Sequence, residues 1–391
     1  MADPWLTIIG LGEDGPAGLS SASRAALAAA KTIFGGPRHL ALVEAKGKGQ
    51  PWPVPFDATP VLAHRGQPTV VLASGDPFWF GAGGSLMTHL APGEWTSHPA
   101  PSTFQLAANR LGWRLEDTVC LGLHAAPFAR LRPVLGKGVH AICTLRDGAA
   151  VSELAAWLAA NGHPNVRLTV LERLGGPHQR IRQITGEPPQ DITAPVAIAI
   201  EGMDPGLPQA SGLPDDHFAH DGQLTKRPVR ALTLSALAPR PGETLWDIGA
   251  GSGSIGIEWL LAGGARVEAL EADPTRAARA RANVESFGLA HRHRLTEARA
   301  PEGLSSLPPP DAVFIGGGAS DDLLARLWDL LPPGTRLVMN AVTLETEALV
   351  LDWSARHGGQ FLKIDLSETT AIGRKRAWRA ALPILQWSVS R

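Results

Sequence analysis

Only two cysteines, Cys120 and Cys143, occur in the 391 residues. Both lie in apolar segments without metal-ligand or disulfide spacing. That excludes a disulfide scaffold and fits a reducing compartment. Neither sign of charge is in excess: 36 Lys plus Arg face 37 Asp plus Glu, a formal net charge of −1. The balance argues against nucleic acid or a membrane surface as partner. No apolar run approaches the roughly 20 residues a spanning helix needs. The short run from Trp5 to Leu11 follows Asp3 and lacks signal-peptide form. Internal repeats, long low-complexity segments, a Ser/His/Asp set and a metal-ligating cluster are missing as well. A cytoplasmic globular protein of two or three domains is expected, with no shortage of core.

From Trp5 to Glu201 apolar, strand-like runs alternate with helical ones. Strands are expected at Trp5 to Ile9, Thr69 to Ala73, Ala141 to Leu145, Val166 to Leu171 and Val196 to Ile200. A helix is expected from Ala149 to Ala160, with Val151, Leu154, Ala155 and Leu158 on one face and Asn161-Gly162 as its stop. Then the composition shifts. Gly202 to Gly222 holds Pro205, Pro208 and Pro214, several glycines, and acids at Asp204, Asp215 and Asp216, which reads as an exposed connector. Strands are expected again at Thr244 to Ile248, Val267 to Leu270, Ala312 to Ile315 and Leu337 to Val342, separated by helical stretches. Such alternation implies a mostly parallel, doubly wound α/β sheet. An antiparallel pair, Phe361 to Leu366 and Leu382 to Trp387, would close it. The expected organisation is a domain over 1–203, a linker over 204–220 and a second domain over 221–391.

The most informative stretch is Leu245-Trp-Asp-Ile-Gly-Ala-Gly-Ser-Gly253, an apolar run ending in an acid and followed by three alternating glycines. Glycine permits a tight turn and a close ligand approach, and the next helix offers free N–H groups and a positive dipole end. The following strand, Arg266 to Glu271, ends in a carboxylate 22 residues after Gly249. An α/β nucleotide-type site places an acid there to accept bonds from ribose hydroxyls. Gly251-Ser-Gly-Ser-Ile-Gly256 also satisfies G-x-G-x-x-G, the dinucleotide pattern. Asp247, two positions before the first glycine, decides for a methyl-donor turn, since a nicotinamide turn usually carries an apolar residue there.

Five segments, Leu224-Thr-Lys-Arg-Pro-Val-Arg230, Trp246 to Gly253, Ala300-Pro301, Phe314-Ile-Gly-Gly-Gly318 and Asn340-Ala-Val-Thr-Leu-Glu-Thr346, resemble the CbiT-type precorrin methyltransferases. That family methylates carbon 15 of a corrin precursor and decarboxylates the acetate on carbon 12. The resemblance implies a Rossmann-like class I methyltransferase fold from about Asp221 to the C-terminus. It also implies S-adenosyl-L-methionine contacts at Thr225, Gly249, Ala250, Gly251, Ser252, Gly253, Glu271 and Ala300. Arg299 departs from the small or acidic residue usual before the Ala-Pro. Arg276, Arg279 and Arg281 oppose an apolar stripe of Ala277, Ala280, Val284 and Phe287, and read as a solvated helix face. Lys226, Arg227 and Arg230 read as a basic loop, with Lys226 and Arg227 candidates for the macrocycle's carboxylates. Asn340 reads equally as a substrate contact or a plain strand-end turn.

In the first half, Gly10-Leu-Gly-Glu-Asp-Gly15 matches G-x-G-x-x-G formally. As a dinucleotide site it is a decoy: Pro16 to Leu19 intervene before the helix, and the second strand ends at Phe34-Gly-Gly36 without a carboxylate. Ser74-Gly-Asp-Pro-Phe-Trp-Phe-Gly81, Pro99-Ala-Pro-Ser-Thr-Phe-Gln105 and Thr144-Leu-Arg-Asp147, with that first turn, resemble the CbiE branch of the tetrapyrrole methylases. That branch methylates carbon 5 and has two α/β lobes with the methyl donor between them. The resemblance spans roughly Trp5 to Glu201 and implies donor contacts at Gly75, Asp76, Phe80, Ser102 and Thr103. Glu13 stands where family members often have proline. Arg38 and His39 read either as partners for substrate carboxylates or as a surface turn.

Two unlike methyltransferase halves in one chain resemble a fused precorrin methyltransferase of corrin biosynthesis, which consumes two S-adenosyl-L-methionines and releases carbon dioxide. Metal is not expected, and the catalytic residues are unknown. A homo-oligomer is expected, a tetramer through the C-terminal domain by family likeness. Rival readings are a nicotinamide-dependent reductase of the same pathway, an RNA or small-molecule methyltransferase, and a non-catalytic tetrapyrrole carrier. Asp247, the lack of an aromatic-basic stripe, and two separate donor patterns oppose them in turn.

Overall fold

The computed structural model describes residues 4–53 and 55–391. They fall into two compact units: Met1–Phe128 with Val134–Gly206, and Ala129–Pro133 with Leu207–Arg391.

The first unit has two sheets. Strands β1 (Leu6–Leu11), β2 (Thr32–Gly35), β3 (Gly49–Pro51), β4 (Thr69–Ser74) and β5 (Trp95–His98) form an all-parallel sheet in the order β3-β2-β4-β1-β5. The central strands β1 and β4 are nearly continuous runs of Val, Ile and Leu because helices cover both faces. Strands β6 (Thr118–Gly122), β7 (His140–Leu145), β8 (Arg167–Glu172), β9 (Arg180–Gln183) and β10 (Val196–Glu201) form a mixed sheet, order β6-β7-β10-β8-β9. The helix Thr103–Leu111 begins with a full capping box: Ser102 Oγ accepts from Gln105 N, and Gln105 Oε1 accepts from Ser102 N. That satisfies two otherwise orphaned amides. The expected helix at Ala149–Ala160 is present with those bounds.

In the second unit, β11 (Thr244–Ile248), β12 (Arg266–Glu271), β13 (His293–Glu297), β14 (Ala312–Ile315), β15 (Arg336–Ala341), β16 (Gln360–Ile364) and β19 (Ile384–Ser390) make one sheet, order β13-β12-β11-β14-β15-β19-β16. The first five run parallel, and β19 pairs antiparallel with both β15 and β16, as the closing pair requires. The order reverses direction between β12-β11 and β11-β14. In such sheets the crevice at the carboxyl ends of these strands receives ligands. Strands β17 (Ser367–Ile372) and β18 (Lys375–Ala380) form a separate two-stranded hairpin that no sequence pattern announces. Strand β13 is also unannounced, because His293-Arg-Leu-Thr-Glu297 is too polar for an apolar run.

The stretch expected as an exposed connector is not one throughout. Leu213 and Phe218 are buried in the second unit's core, and the amides of Gly212 and Leu213 donate to the buried carboxylate of Glu258. Two apolar anchors outweigh the local proline and glycine content.

Candidate functional sites

In the second unit the glycine turn leaves the carboxyl end of β11 at the reversal point. Gly249 N and Ala250 N both donate to Leu270 O, and Gly253 N donates to Ala250 O. Gly251 sits at φ +59, and a Cβ built on it meets nothing within 4 Å. Its backbone therefore borders open space and adopts a conformation that other residues rarely take. Glu271, at the end of β12, accepts from Gly251 N through Oε2 at 2.8 Å and from Asp273 N through Oε1 at 2.9 Å. Each oxygen retains a second lone pair, so the acid fits the role of hydroxyl acceptor beside the turn. The helix Ser254–Leu261 starts at the turn, with Gly253 as its N-cap.

Behind the turn lies a buried polar pair. Asp247 Oδ2 accepts from Gly256 N at 3.2 Å, while its Oδ1 has no partner among the described residues. Burial, and secondarily the charge of Glu271, pushes its carboxyl up to about 7. His293 on β13 is buried too, its Nε2 unpartnered among the described residues, and burial lowers its imidazole to about 4. A Cβ on Gly256 would lie 2.9 Å from His293 Nε2 and 3.2 Å from Asp247 Oδ2, which places the two groups side by side.

Residues 224–230 differ from the expected basic loop. Lys226 is the N-cap of a helix at Arg227–Leu237, and both Lys226 and Arg227 are exposed. Arg230 is wholly buried: Nε donates to Glu258 Oε1 at 2.5 Å, and the terminal nitrogens donate to Thr225 O, Leu213 O and Asp215 Oδ1. It is a structural cation that sets Thr225, not a surface one, because the periodicity of the helix turns it inward. Arg276 and Arg279 differ as well. Both pair with Asp221, and Arg276 also donates to Gln223, so this helix face holds the segment leading to Thr225. Asn340 lies at the carboxyl end of β15, its Nδ2 donating to Thr233 Oγ1 and its Oδ1 accepting from the buried Gln386. The network orients it with one N–H to spare. Ala300 is half-buried against the apolar core.

In the first unit a cavity of about 320 Å³ opens between its two sheets. Gly75, Phe80, Ser102, Thr103, Arg38 and His39 all line it, together with Glu13, His124 and Thr144. Gly75 is at φ +55, and a Cβ there would strike Ser102 Cα at 2.7 Å, so only glycine allows this close packing. Phe80 holds a positive φ of 55, a strained state that tends to cluster at functional sites. Asp76 is not among the lining residues; its Oδ1 accepts from Phe78 N at 2.8 Å and shapes the turn. Ser102 lines the wall; its oxygen accepts from Gln105 N in the helix cap, which leaves its O–H free to donate.

Residues 5–188 match the tetrapyrrole (corrin/porphyrin) methylase family model, and residues 216–391 match a precorrin methyltransferase domain model. A Sinorhizobium protein named precorrin-6Y C(5,15)-methyltransferase [decarboxylating] is 46% identical over 400 residues, covering 99% of this chain and 97% of its own. The chain belongs to that family. A second precorrin-6Y C(5,15)-methyltransferase, from Mycobacterium tuberculosis, is 36% identical, covering 99% of this chain and all of its own. A solved C-terminal domain of the Rhodobacter capsulatus precorrin-6Y C5,15-methyltransferase is 54% identical, covering 47% of this chain and 100% of that one, with a TM-score of 0.46.

Membership in the precorrin-6Y methyltransferases makes this chain a methyltransferase that uses S-adenosyl-L-methionine, with an accompanying decarboxylation. The turn at Gly249–Gly253 presents backbone and the Glu271 carboxylate, whereas the cavity around Gly75 mixes backbone and apolar groups with the polar side chains of Glu13, Arg38, His39, His124 and Thr144. Sequence reading of this family member missed Asn283, which donates to Ser252 O and Ala219 O and accepts from Ala219 N. An amide on an otherwise apolar helix stripe was the available signal. It also missed Glu258, whose partners Gly212, Leu213 and Arg230 lie far away in the chain, and His293, which the sheet buries near Asp247.

Proposed function

We propose that the two units divide the family's reaction: the first methylates carbon 5 of precorrin-6Y, and the second methylates carbon 15 and decarboxylates the carbon 12 acetate, whose carboxyl leaves as carbon dioxide and whose remaining carbon takes up a proton to become a methyl group, giving precorrin-8X. A glycine-lined cavity in the first unit and a glycine turn held by Glu271 in the differently folded second unit, each within a different methylase match, support this reading. The donor supplies a methyl group activated by a sulfonium. In the second unit Gly249 to Gly253, Glu271, Thr225 and Ala300 would hold it, and in the first Gly75, Phe80, Ser102 and Thr103. The protein's main contribution is alignment of ring carbon, methyl and sulfur, which supplies on the order of 7–11 kcal/mol. A displacement of this kind needs no acid-base set. Asn340, Lys226 and Arg227 in the second unit would contact the macrocycle, the two cations through its carboxylates.

The chain is proposed to self-associate through the second unit, as a tetramer. A free two-stranded hairpin is marginal in water, and this one exposes Ile372 and Trp378, the latter at 73%. Leu344, Leu351 and Leu382 are exposed on the same unit. Light scattering on Trp378→Glu should show a smaller species than the parent. A cytoplasmic setting is supported by two free cysteines and, among the described residues, by no helix long and apolar enough to cross a membrane.

Titration calorimetry of the full chain with S-adenosylmethionine tests the division. Two sites per chain are expected, and one site would overturn it. Incubation with precorrin-6Y and labelled donor should add two methyl groups and lose one carbon dioxide.

A further inference from the structure

We infer that Glu13, Arg38 and Arg173 form a carboxylate-binding subsite of the first unit's cavity, in which the guanidiniums receive a ligand carboxylate and Glu13 holds them in place. This rests on the reading that the first unit takes a methyl donor and an acid-rich ring.

Three distant loops converge here. Glu13 follows β1, Arg38 opens the short helix Pro37–Leu42, and Arg173 follows β8. The Glu13 side chain is 7% exposed and is shared: Oε1 accepts from Arg38 Nη1, and Oε2 accepts from Arg173 Nε at 3.4 Å. Gly176 lies against it, where any Cβ would come within 2.6 Å of Glu13 Cβ. Arg173 is held at φ +49, in the left-handed region, and such strain persists only where the surroundings impose it. The loop is therefore shaped around the glutamate.

The cluster carries excess positive charge. Arg38 Nη2 also lies 2.8 Å from His39 Nε2 and 3.0 Å from Ser74 Oγ. A guanidinium only donates, so His39 Nε2 is an acceptor and the ring is neutral. Its Nδ1 is buried and has no partner among the described residues. Burial, then Arg38, lowers this imidazole to about 4, in agreement. Two guanidiniums against one carboxylate leave a single positive charge at the cavity. Burial, and secondarily the neighbouring Arg173, lower the Arg38 guanidinium from its ordinary value. Arg173 is not itself a lining residue but is fastened to Glu13, which is; among the described residues neither of its terminal nitrogens has a partner, and its side chain is 38% exposed, so one bidentate fork is free at the cavity's edge. A single planar monoanion matches both the charge and the fork.

That monoanion is either a side-chain carboxylate of the ring or the amino-acid carboxylate of the donor. Arg173→Gln and Arg173→Lys in the full chain separate them. Carbon 5 and carbon 15 methylation are followed individually. Donor binding is measured with S-adenosylmethionine and with 5′-methylthioadenosine, which lacks the carboxylate. Arg173→Gln should raise KM for the ring at carbon 5 roughly ten- to hundredfold, the worth of a charge-assisted pair, with kcat changed less. Arg173→Lys should recover only part, because a point charge lacks the fork. Unchanged methylthioadenosine affinity and carbon 15 methylation would show that both units remain folded. A comparable loss in S-adenosylmethionine affinity, with ring KM unchanged, assigns the carboxylate to the donor and upholds the subsite. Ring KM and donor affinity both within about twofold of the parent overturn it, as does a parallel loss of methylthioadenosine binding. Absence of carbon 5 methylation in the parent chain would instead remove the underlying reading.

Discussion

The carboxylate of Glu271 accepts the amide N–H of Gly251 at 2.8 Å, tying the end of β12 to the turn that leaves β11. The bond fixes the acid beside the one glycine of the turn whose missing Cβ faces open space. Gly251→Val would force a β-branched residue to φ +59 and fill that space. Carbon 15 methylation and decarboxylation should fall at least about a hundredfold, a scale set by an ångström of misplacement. Carbon 5 methylation should stay at the parent rate. Mass analysis of the product at fixed times checks both, and equal loss at the two carbons would refute independent units.

Asp76 serves its turn through a hydrogen bond to Phe78 N, not by facing the cavity. Asp76→Asn keeps an acceptor and should leave carbon 5 methylation within about threefold of the parent, whereas Asp76→Ala should cost roughly tenfold through the loosened turn beneath Phe80. A large loss in Asp76→Asn would show that the charge itself matters.

Asp247 and His293 give opposite pH dependences. The Asp247 carboxyl is raised to about 7, so the folded chain binds more protons than the unfolded one between about pH 4 and 7, and stability falls as pH rises through that window. His293 is lowered to about 4, so its contribution is lost as pH falls from about 6.5 to 4. The two slopes largely cancel. Asp247→Asn retains the acceptor for Gly256 N and removes one slope. Relative to the parent, it should gain about 2–3 kcal/mol of stability on going from pH 5 to pH 7.5. Urea unfolding at both pH values measures it, and no relative gain would contradict the raised carboxyl.

Arg230 and Glu258 make a fully buried pair that also fastens Leu213, Asp215 and Thr225. Removing Arg230 would leave Glu258 buried without a cation, at a cost of about 3–5 kcal/mol, whereas removing Glu258 leaves Arg230 with Asp215 as its one remaining carboxylate among the described residues. Glu258→Gln should lower the second unit's unfolding free energy by up to that amount and weaken donor binding there through Thr225. Arg230→Met with Glu258→Leu should recover much of the stability but not the donor affinity. Denaturation and calorimetry on the single and double variants decide it.

Strands buried on both faces, such as Leu6–Leu11 and Thr244–Ile248, were legible because continuous apolar runs have few other uses. The glycine turn and Glu271 were legible because their chemistry is local and their spacing is set by one strand-helix-strand unit. Polar or exposed strands such as β13 and the β17–β18 hairpin were not, since no periodicity marks them. Sequence also identified Arg38, His39, Gly75 and Ser102 as candidates, and the fold brings them to one cavity.

By itself the sequence determined two α/β halves, a glycine turn with an acid at the end of the next strand, and membership in a precorrin methyltransferase lineage. Tertiary structure alone decided that Arg230 is a buried strut, that Asp76 shapes a turn, and that Glu13 gathers Arg38 with Arg173 across 160 residues. The reason is physical: burial and the pairing of charges depend on which distant segments meet, and local patterns carry no record of that meeting.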